Sequence, residues 1–423
     1  MDRFEYRQGE LYCEAVPVRR IAEAVGTPVY IYSADTLRSH YRALAAAFAE
    51  LSPLICFSVK SLANLHVLRL LAAEGAGFDV VSGGELFRVA KAGGDLHRVV
   101  FAGVGKTDAE ISAALAAGIA SFNVESEEEF ENLSRLAAAA GVTAHAALRV
   151  NPDIDPKTHR YTATGKKETK FGVDIERAER FFARYGRDAH VRLDGVHLHI
   201  GSPIWSAGPY QEAIAKALEL IDRLRRDGVV VDTLNLGGGF AADYGAAAAP
   251  PAAEYAATIV PMLRGRGLKV ILEPGRSIDA NSGVLLTCVL YLKEGGERKF
   301  TIVDAAMTDL IRPALYDSFH FLWPVRSPQP PRRSSDYAPE GCVKTDVVGG
   351  VCESTDFLAK DRLLPPLERG DLLCVFTAGA YGFVMSSQYN SRPRAAEVLV
   401  DGDQFRIIRR RESYEDLVAA EMI

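Results

Sequence analysis

The amino-acid sequence predicts a TIM-type (β/α)8 barrel joined to an all-β domain. Three observations predict it: a strand–helix rhythm repeated eight times between residues 28 and 280, a change to strand-rich sequence after residue 281, and a strand-like segment ahead of the barrel. A chain of 423 residues exceeds what one hydrophobic core usually serves. Two domains are therefore expected: a barrel over residues 28–280, and a β-rich domain built from residues 1–27 and 281–423 that contributes to the active site.

Short apolar or β-branched runs mark the barrel strands. They are Leu54–Val59, Phe78–Val81, Val99–Ala102, Ser121–Val124, Ala146–Val150, Gly195–Ile200, Thr233–Leu236 and Val270–Glu273. Between them lie helical patterns rich in Ala, Leu and Glu, such as Ala63–Glu74, Gly84–Ala92, Asp108–Ala117, Ser126–Ala140, Ile175–Tyr185 and Tyr210–Asp227. A doubly wound open sheet shares this alternation, and eight strands favour closure. Past the barrel, Gly283–Tyr291, Lys299–Val303, Lys344–Val348, Leu372–Phe376 and Ala396–Val400 read as strands. Leu11–Val16 reads as a strand that returns to this β domain. Gly245–Ala253, Ser327–Glu340 and Asp153–Thr169 read as loops.

Composition narrows the function classes. The formal net charge is −6 and neither half carries a long basic run, which argues against nucleic acid or an anionic membrane as partner. The first residues, Met1 to Arg7, contain no apolar signal-peptide core, and apolar stretches elsewhere are too short or too charged to span a bilayer. Six cysteines without a Cys-x-x-Cys pair read as reduced thiols, so a cytoplasmic location is expected.

Barrels carry their chemistry at the C-terminal ends of strands, and the polar residues gather there. Lys60 ends the first strand, Asp79 lies in the second, Arg149 stands near the end of the fifth and His199 near the end of the sixth. Gly237-Gly238-Gly239 follows the seventh, and Glu273-Pro274-Gly275-Arg276 closes the eighth. Alone, Lys60 is an ordinary lysine capping a strand; in a barrel mouth it is a partly desolvated amine able to attack carbonyls. The glycine run is either a tight turn or a cradle of backbone N–H groups for phosphate, with Gly201-Ser202 as a second contributor. His197 and His199 share a strand face, but no third ligand stands at a useful spacing for a metal, and none is expected. His199 is read instead as a flat ring stacked on a planar cofactor, with His197 in support. Glu273 either pairs with a nearby Arg276 or keeps a pyridine nitrogen protonated, which makes that ring a better electron sink.

Longer tags carry a family resemblance over essentially the whole chain. They include Phe57-Ser58-Val59-Lys60, Phe78-Asp79-Val80-Val81-Ser82-Gly83-Gly84-Glu85, Arg149-Val150-Asn151-Pro152, Lys170-Phe171-Gly172-Val173, His199-Ile200-Gly201-Ser202 and Glu273-Pro274-Gly275-Arg276. The β domain adds Asp309-Leu310-Ile311-Arg312-Pro313-Ala314-Leu315-Tyr316, Cys352-Glu353-Ser354-Thr355-Asp356 and Gly379-Ala380-Tyr381-Gly382. With their order and spacing, the sequence resembles the fold-type III pyridoxal-phosphate decarboxylases, whose barrel is alanine-racemase-like.

The resemblance implies pyridoxal 5'-phosphate bound covalently to Lys60, with His199 stacked on its ring and Glu273 on its nitrogen. It implies Asp79, Arg149, Ser202, Gly238, Gly239, Gly275, Arg276 and Tyr381 as further cofactor-binding residues. Arg276, Arg312 and Tyr316 are implied to hold the far carboxylate of the substrate and Glu353 its far ammonium, with Tyr381 as a further substrate-binding residue. Cys352 is implied to protonate the carbanion, as a nearby acid must. Cys352 and Glu353 would come from the partner in a homodimer with shared sites. A far end bearing both charges fits meso-2,6-diaminopimelate, giving L-lysine and carbon dioxide. Ornithine-type relatives usually have Asp after the catalytic Cys, where Glu353 stands.

The departures are Pro203 where the family commonly has Gln, Gly349-Gly350-Val351 where Gly-Pro usually precedes Cys352, and Ala305-Ala306-Met307-Thr308 for a more typical Ala-Gly-Met-Asn. They leave room for a related substrate: carboxynorspermidine, ornithine or arginine, or a carrier-bound amino acid. Three other classes compete: a racemase on the same scaffold, a catalytically dead binding homologue, and a cofactor-free barrel enzyme acting on a phosphorylated substrate. Glu273 speaks against the first, and Lys60, Glu273 and Cys352 together against the second.

Overall fold

The computed structural model describes residues 2–154, 170–245 and 248–423. Most of the expected loop Asp153–Thr169, and residues 246 and 247 of the expected loop Gly245–Ala253, lie outside the described residues. The chain divides into two units: residues 40–241 with 249–275, and residues 1–39 with 242–248 and 276–423.

The first unit is a closed parallel barrel. Its strands are Leu54–Ser58, Gly77–Val80, Val99–Phe101, Ser121–Val124, Ala144–Asn151, Val191–His197, Thr233–Asn235 and Lys269–Leu272. Each pairs in parallel with the next, and the ring closes where Ile271 and Leu272 meet Leu54 and Ile55. Burial on both faces explains the near-continuous apolar runs: all residues of Gly77–Val80, Val99–Phe101 and Ser121–Val124 are buried.

Local signals start and stop the barrel helices. Ser82 and Ser126 accept the Glu85 and Glu129 backbone N–H groups to cap Gly83–Ala92 and Glu127–Ala140. Thr107 and Glu110 form a capping box ahead of Asp108–Ala117. The stretch 245–253 is not all loop, because a helix begins at Ala252 and runs to Leu263. There an apolar stripe of Tyr255, Ala256, Ile259, Val260 and Leu263 is buried and outweighs the Ala-Pro composition at its start.

The second unit is built on a nine-stranded sheet. Along its spine run Phe357–Leu364, Val343–Val348, Arg298–Val303, Gly283–Gly295, Val29–Ser33, Ala396–Asp401 and Gln404–Arg409, with Leu322–Pro324 and Leu372–Val375 branching from it. Every strand expected after residue 281 is present. Val29–Ser33, past the expected boundary at residue 28, pairs here with Gly283–Leu286 and Ala396–Val400, and all five of its residues are buried. The N-terminal segment forms a meander, Phe4–Arg7, Glu10–Cys13 and Val16–Pro17, whose Leu11 N–H donates to Val325 O at 2.9 Å. Among the described residues no helix is long and apolar enough to cross a membrane.

Candidate active site

Lys60 lies just past the first barrel strand, in a one-turn 3-10 helix, Val59–Ser61, rather than in the strand itself. Its amine is paired with the Asp79 carboxylate on the neighbouring strand. Ser58 Oγ donates to the same Asp79 oxygen at 2.7 Å, and the other oxygen of Asp79 has no partner among the described residues. Burial raises the Asp79 carboxyl above its ordinary value; Lys60 opposes that rise and Glu273 adds to it.

Glu273, one residue past the eighth strand, is buried and held from both sides. Asn123 and Asn235 donate their side-chain amides to its Oε1 at 2.9 and 2.6 Å, and His197 Nε2 stands 3.3 Å from Oε2. Burial alone would favour the neutral acid. His197, Lys60 and Asn235 outweigh it and hold the carboxyl well below the usual range. Glu273 is an anion fixed in place.

His197 ends the sixth strand, and His199 lies beyond it, so strand alternation does not govern both rings. His199 Nδ1 accepts the Gly238 N–H at 3.2 Å. Burial first, then the Arg149 and Lys60 charges, push its pKa well below the ordinary value, which makes it a flat, neutral ring. Arg149 donates through one nitrogen to both oxygens of Glu125 at 3.1 Å and lies 4.6 Å from the Phe171 ring centre. Its other terminal nitrogen is buried without a partner among the described residues.

Close packing is enough to require the glycine run. A Cβ on Gly238 would stand 2.2 Å from Glu273 O, and Gly239 has φ +109° with room so limited that a Cβ there would stand 2.4 Å from Gly201 O. Holding phosphate would be an additional role. Ser202 is half-buried after Gly201, and Gly275 packs closely on Ser58 and Ser61.

In the second unit, two buried arginines share two aromatic rings. Arg276 donates to Tyr244 Oη at 2.8 Å, and its guanidinium carbon lies 5.0 Å from the Tyr381 ring centre. Arg312 lies 5.4 Å from the Tyr244 ring centre, 5.9 Å from Tyr381 and 6.0 Å from Tyr316, and it donates to Ser318 Oγ at 3.2 Å. His320 meets Tyr244 edge-on, with ring centres 5.4 Å apart.

Cys352 and Glu353 form a separate group on the loop after Val343–Val348. Cys352 is exposed, so it is no core residue, and its N–H donates to Asn390 Oδ1 at 2.9 Å. Two acids follow the thiol in sequence, Glu353 and Asp356. Asp356 is buried and turned onto the backbone N–H groups of Met307 and Val351, where it shapes the loop, and Glu353 pairs with the Thr355 hydroxyl.

Sequence reasoning missed Asn123, Asn235, Glu125 and Tyr244. A signal existed for the asparagines: each is a lone amide within an apolar strand, a costly placement unless it is bonded. Among the described residues no cluster of three His, Cys, Asp or Glu side chains could hold a metal ion.

Comparison with known proteins gives a consistent answer. Residues 34–280 match the family model described as pyridoxal-dependent decarboxylase, pyridoxal binding domain. A diaminopimelate decarboxylase of Pseudomonas aeruginosa is 51% identical, over 100% of this chain and 99% of its own length. The crystal structure of diaminopimelate decarboxylase from Helicobacter pylori complexed with L-lysine matches with a TM-score of 0.89 and 39% identity, covering 96% of this chain and 99% of that one. The M. jannaschii enzyme of the same name, also in complex with L-lysine, matches with a TM-score of 0.91 and 33% identity, covering 100% and 98%.

Proposed function

The chain belongs to the diaminopimelate decarboxylases, a branch of the pyridoxal-dependent decarboxylases, and from that premise we propose its reaction. It converts meso-2,6-diaminopimelate to L-lysine and carbon dioxide with pyridoxal 5'-phosphate as cofactor. The observation that carries this reading is the ionised Glu273, locked by Asn123, Asn235 and His197 in the barrel that also presents Lys60.

The donor set fits that cofactor. Lys60 offers an amine to an aldehyde, Glu273 an anion to a ring nitrogen, and His199 a neutral ring to its face. Arg149 adds a buried nitrogen without a partner among the described residues. When bound, the cofactor supplies a protonated pyridine ring that accepts the electrons released with carbon dioxide.

Each residue then has a role. Lys60 would hold the cofactor through its aldehyde group, with Asp79 as the charge partner of the amine. Glu273 keeps the proton on the ring nitrogen. Ser202, Gly238, Gly239, Gly275, Arg276 and Tyr381 bind the phosphate side. Arg276, Arg312 and Tyr316 hold the far carboxylate and Glu353 the far ammonium, with Tyr381 as a further substrate-binding residue. Cys352 delivers a proton to the carbon that lost its carboxylate. Cys352 and Glu353 serve the partner's site in a homodimer, and a cytoplasmic location accords with six free cysteines.

A product assay tests the reaction. Purified holoprotein is supplied separately with meso-2,6-diaminopimelate, ornithine, arginine and lysine. L-lysine and carbon dioxide from the first alone is the expected result; putrescine, agmatine or cadaverine from the others would sink the substrate assignment.

A further inference from the structure

We propose that Tyr244 determines specificity for a substrate with a far carboxylate, by holding Arg276 and Arg312 as one anion receptor. The proposal rests on the assignment of those two arginines to the far end of the substrate.

Two guanidinium groups lie together in the second unit, and both are buried. They repel each other, and burial penalises each. The usual remedy is a carboxylate, but among the described residues none forms an ion pair with Arg312, and its Nε is buried without a partner. Tyr244 and Tyr381 supply the compensation instead. An aromatic ring attracts a cation through its quadrupole without adding negative charge, so Arg312 keeps its charge for an incoming anion. A carboxylate in the same position would neutralise it. Arg276 meets the same two rings, its guanidinium carbon 5.8 Å from the Tyr244 ring centre and 5.0 Å from that of Tyr381.

Tyr244 is set up for this task more firmly than packing alone requires. Its hydroxyl accepts from Arg276 at 2.8 Å while its ring lies 5.4 Å from the carbon of Arg312, so one side chain bears on both cations. It packs in a cluster with Ala242, Ala280 and Ala380, with Tyr381 against it. His320 supports it edge-on, and His320 Nδ1 is fixed at 3.0 Å from Phe376 O. Burial, followed by the Arg312 charge, pushes the pKa of His320 down to about 3, so this support adds no third positive charge near neutral pH. The residues that carry Tyr244, 242–248, belong to the second unit although barrel sequence flanks them on both sides.

The test compares two probes that differ by the carboxylate in question. L-lysine keeps the far carboxylate of the substrate, and cadaverine lacks it. Their dissociation constants for the holoprotein are measured by titration of the visible absorbance, and the cadaverine-to-lysine ratio reads what the carboxylate contributes. Tyr244→Leu removes ring and hydroxyl and should lower that ratio by about tenfold or more, with KM for meso-2,6-diaminopimelate rising more than kcat falls. Tyr244→Phe keeps the ring, loses the acceptor for Arg276, and should lower the ratio by roughly threefold. A purely structural role would weaken both probes alike and leave the ratio where it was, which overturns the proposal. Should Tyr244→Leu fail to fold, Tyr244→Phe decides: a ratio equal to wild type overturns the inference. A wild-type ratio near one would instead overturn the substrate reading, and this inference with it.

Discussion

Asn235 ties Glu273 to the glycine turn: its Nδ2 donates to Glu273 Oε1 at 2.6 Å while its Oδ1 accepts the Gly237 N–H at 2.9 Å. One amide therefore fixes the buried anion and the start of the turn together. Asn235→Leu removes both bonds, and a hydrogen bond to a charged group contributes about 1.5–3 kcal/mol. Affinity of the apoprotein for pyridoxal 5'-phosphate should fall on the order of tenfold to a hundredfold, read by fluorescence titration. An unchanged affinity would mean that Glu273 is held well enough by Asn123 and His197.

Lys60 gives the most direct test of the cofactor assignment. In Lys60→Ala the visible absorbance of the holoprotein should vanish, and borohydride should no longer fix cofactor to the chain. Asp79 then loses its cation while staying buried, so a modest loss of stability should accompany the change. Colour that survives the substitution would place the covalent link on another lysine.

Cys352→Ala separates binding from chemistry. The thiol is exposed and its loop is shaped by Asp356 and Asn390, so removing Sγ should leave fold and cofactor absorbance unchanged. Turnover should drop by roughly two to four powers of ten, the usual scale for a lost general acid. A kcat within a factor of a few of wild type would remove Cys352 from the proton-transfer step.

The barrel was legible in the sequence because parallel strands covered on both faces read as apolar runs, as Ile55-Cys56-Phe57 does. Lys60, Arg149 and Glu273 were legible because polar residues at strand ends break those runs where barrels carry chemistry. Asn123 and Asn235 were not, since their meaning lies in Glu273, which is 150 and 38 residues away along the chain. Tyr244 was hidden by the Ala-rich stretch around it. Its role depends on Arg276, 32 residues on, and on Arg312, and no local pattern announces that meeting. The helix Ala252–Leu263 was masked by the prolines and alanines at its start, although its apolar stripe was present.

His320 predicts how the protein responds to acid. It is buried against Tyr244 and held neutral, with its pKa pushed down to about 3 by burial and by Arg312. The unfolded chain should titrate near the ordinary value of about 6.5. Between those two values the unfolded state binds a proton that the folded state refuses, so stability falls as pH drops through that window. Above about pH 6.5 both states are neutral at this group and its penalty is absent. The full effect is several kcal/mol at most, at about 1.4 kcal/mol per pKa unit. His320→Asn places an amide N–H near Nδ1, where it can still reach Phe376 O, and removes the titration. Urea midpoints measured from pH 7 to pH 4 should fall less steeply in His320→Asn than in wild type. The variant should start about 1–2 kcal/mol lower at pH 7, because the edge contact with Tyr244 is lost. Parallel curves would show that the imidazole stays neutral in the unfolded chain too, or gains its proton without penalty in the folded one. In either case the acid sensitivity would have to come from carboxyls held below their ordinary range, such as Glu273, which His197 keeps ionised against the effect of burial.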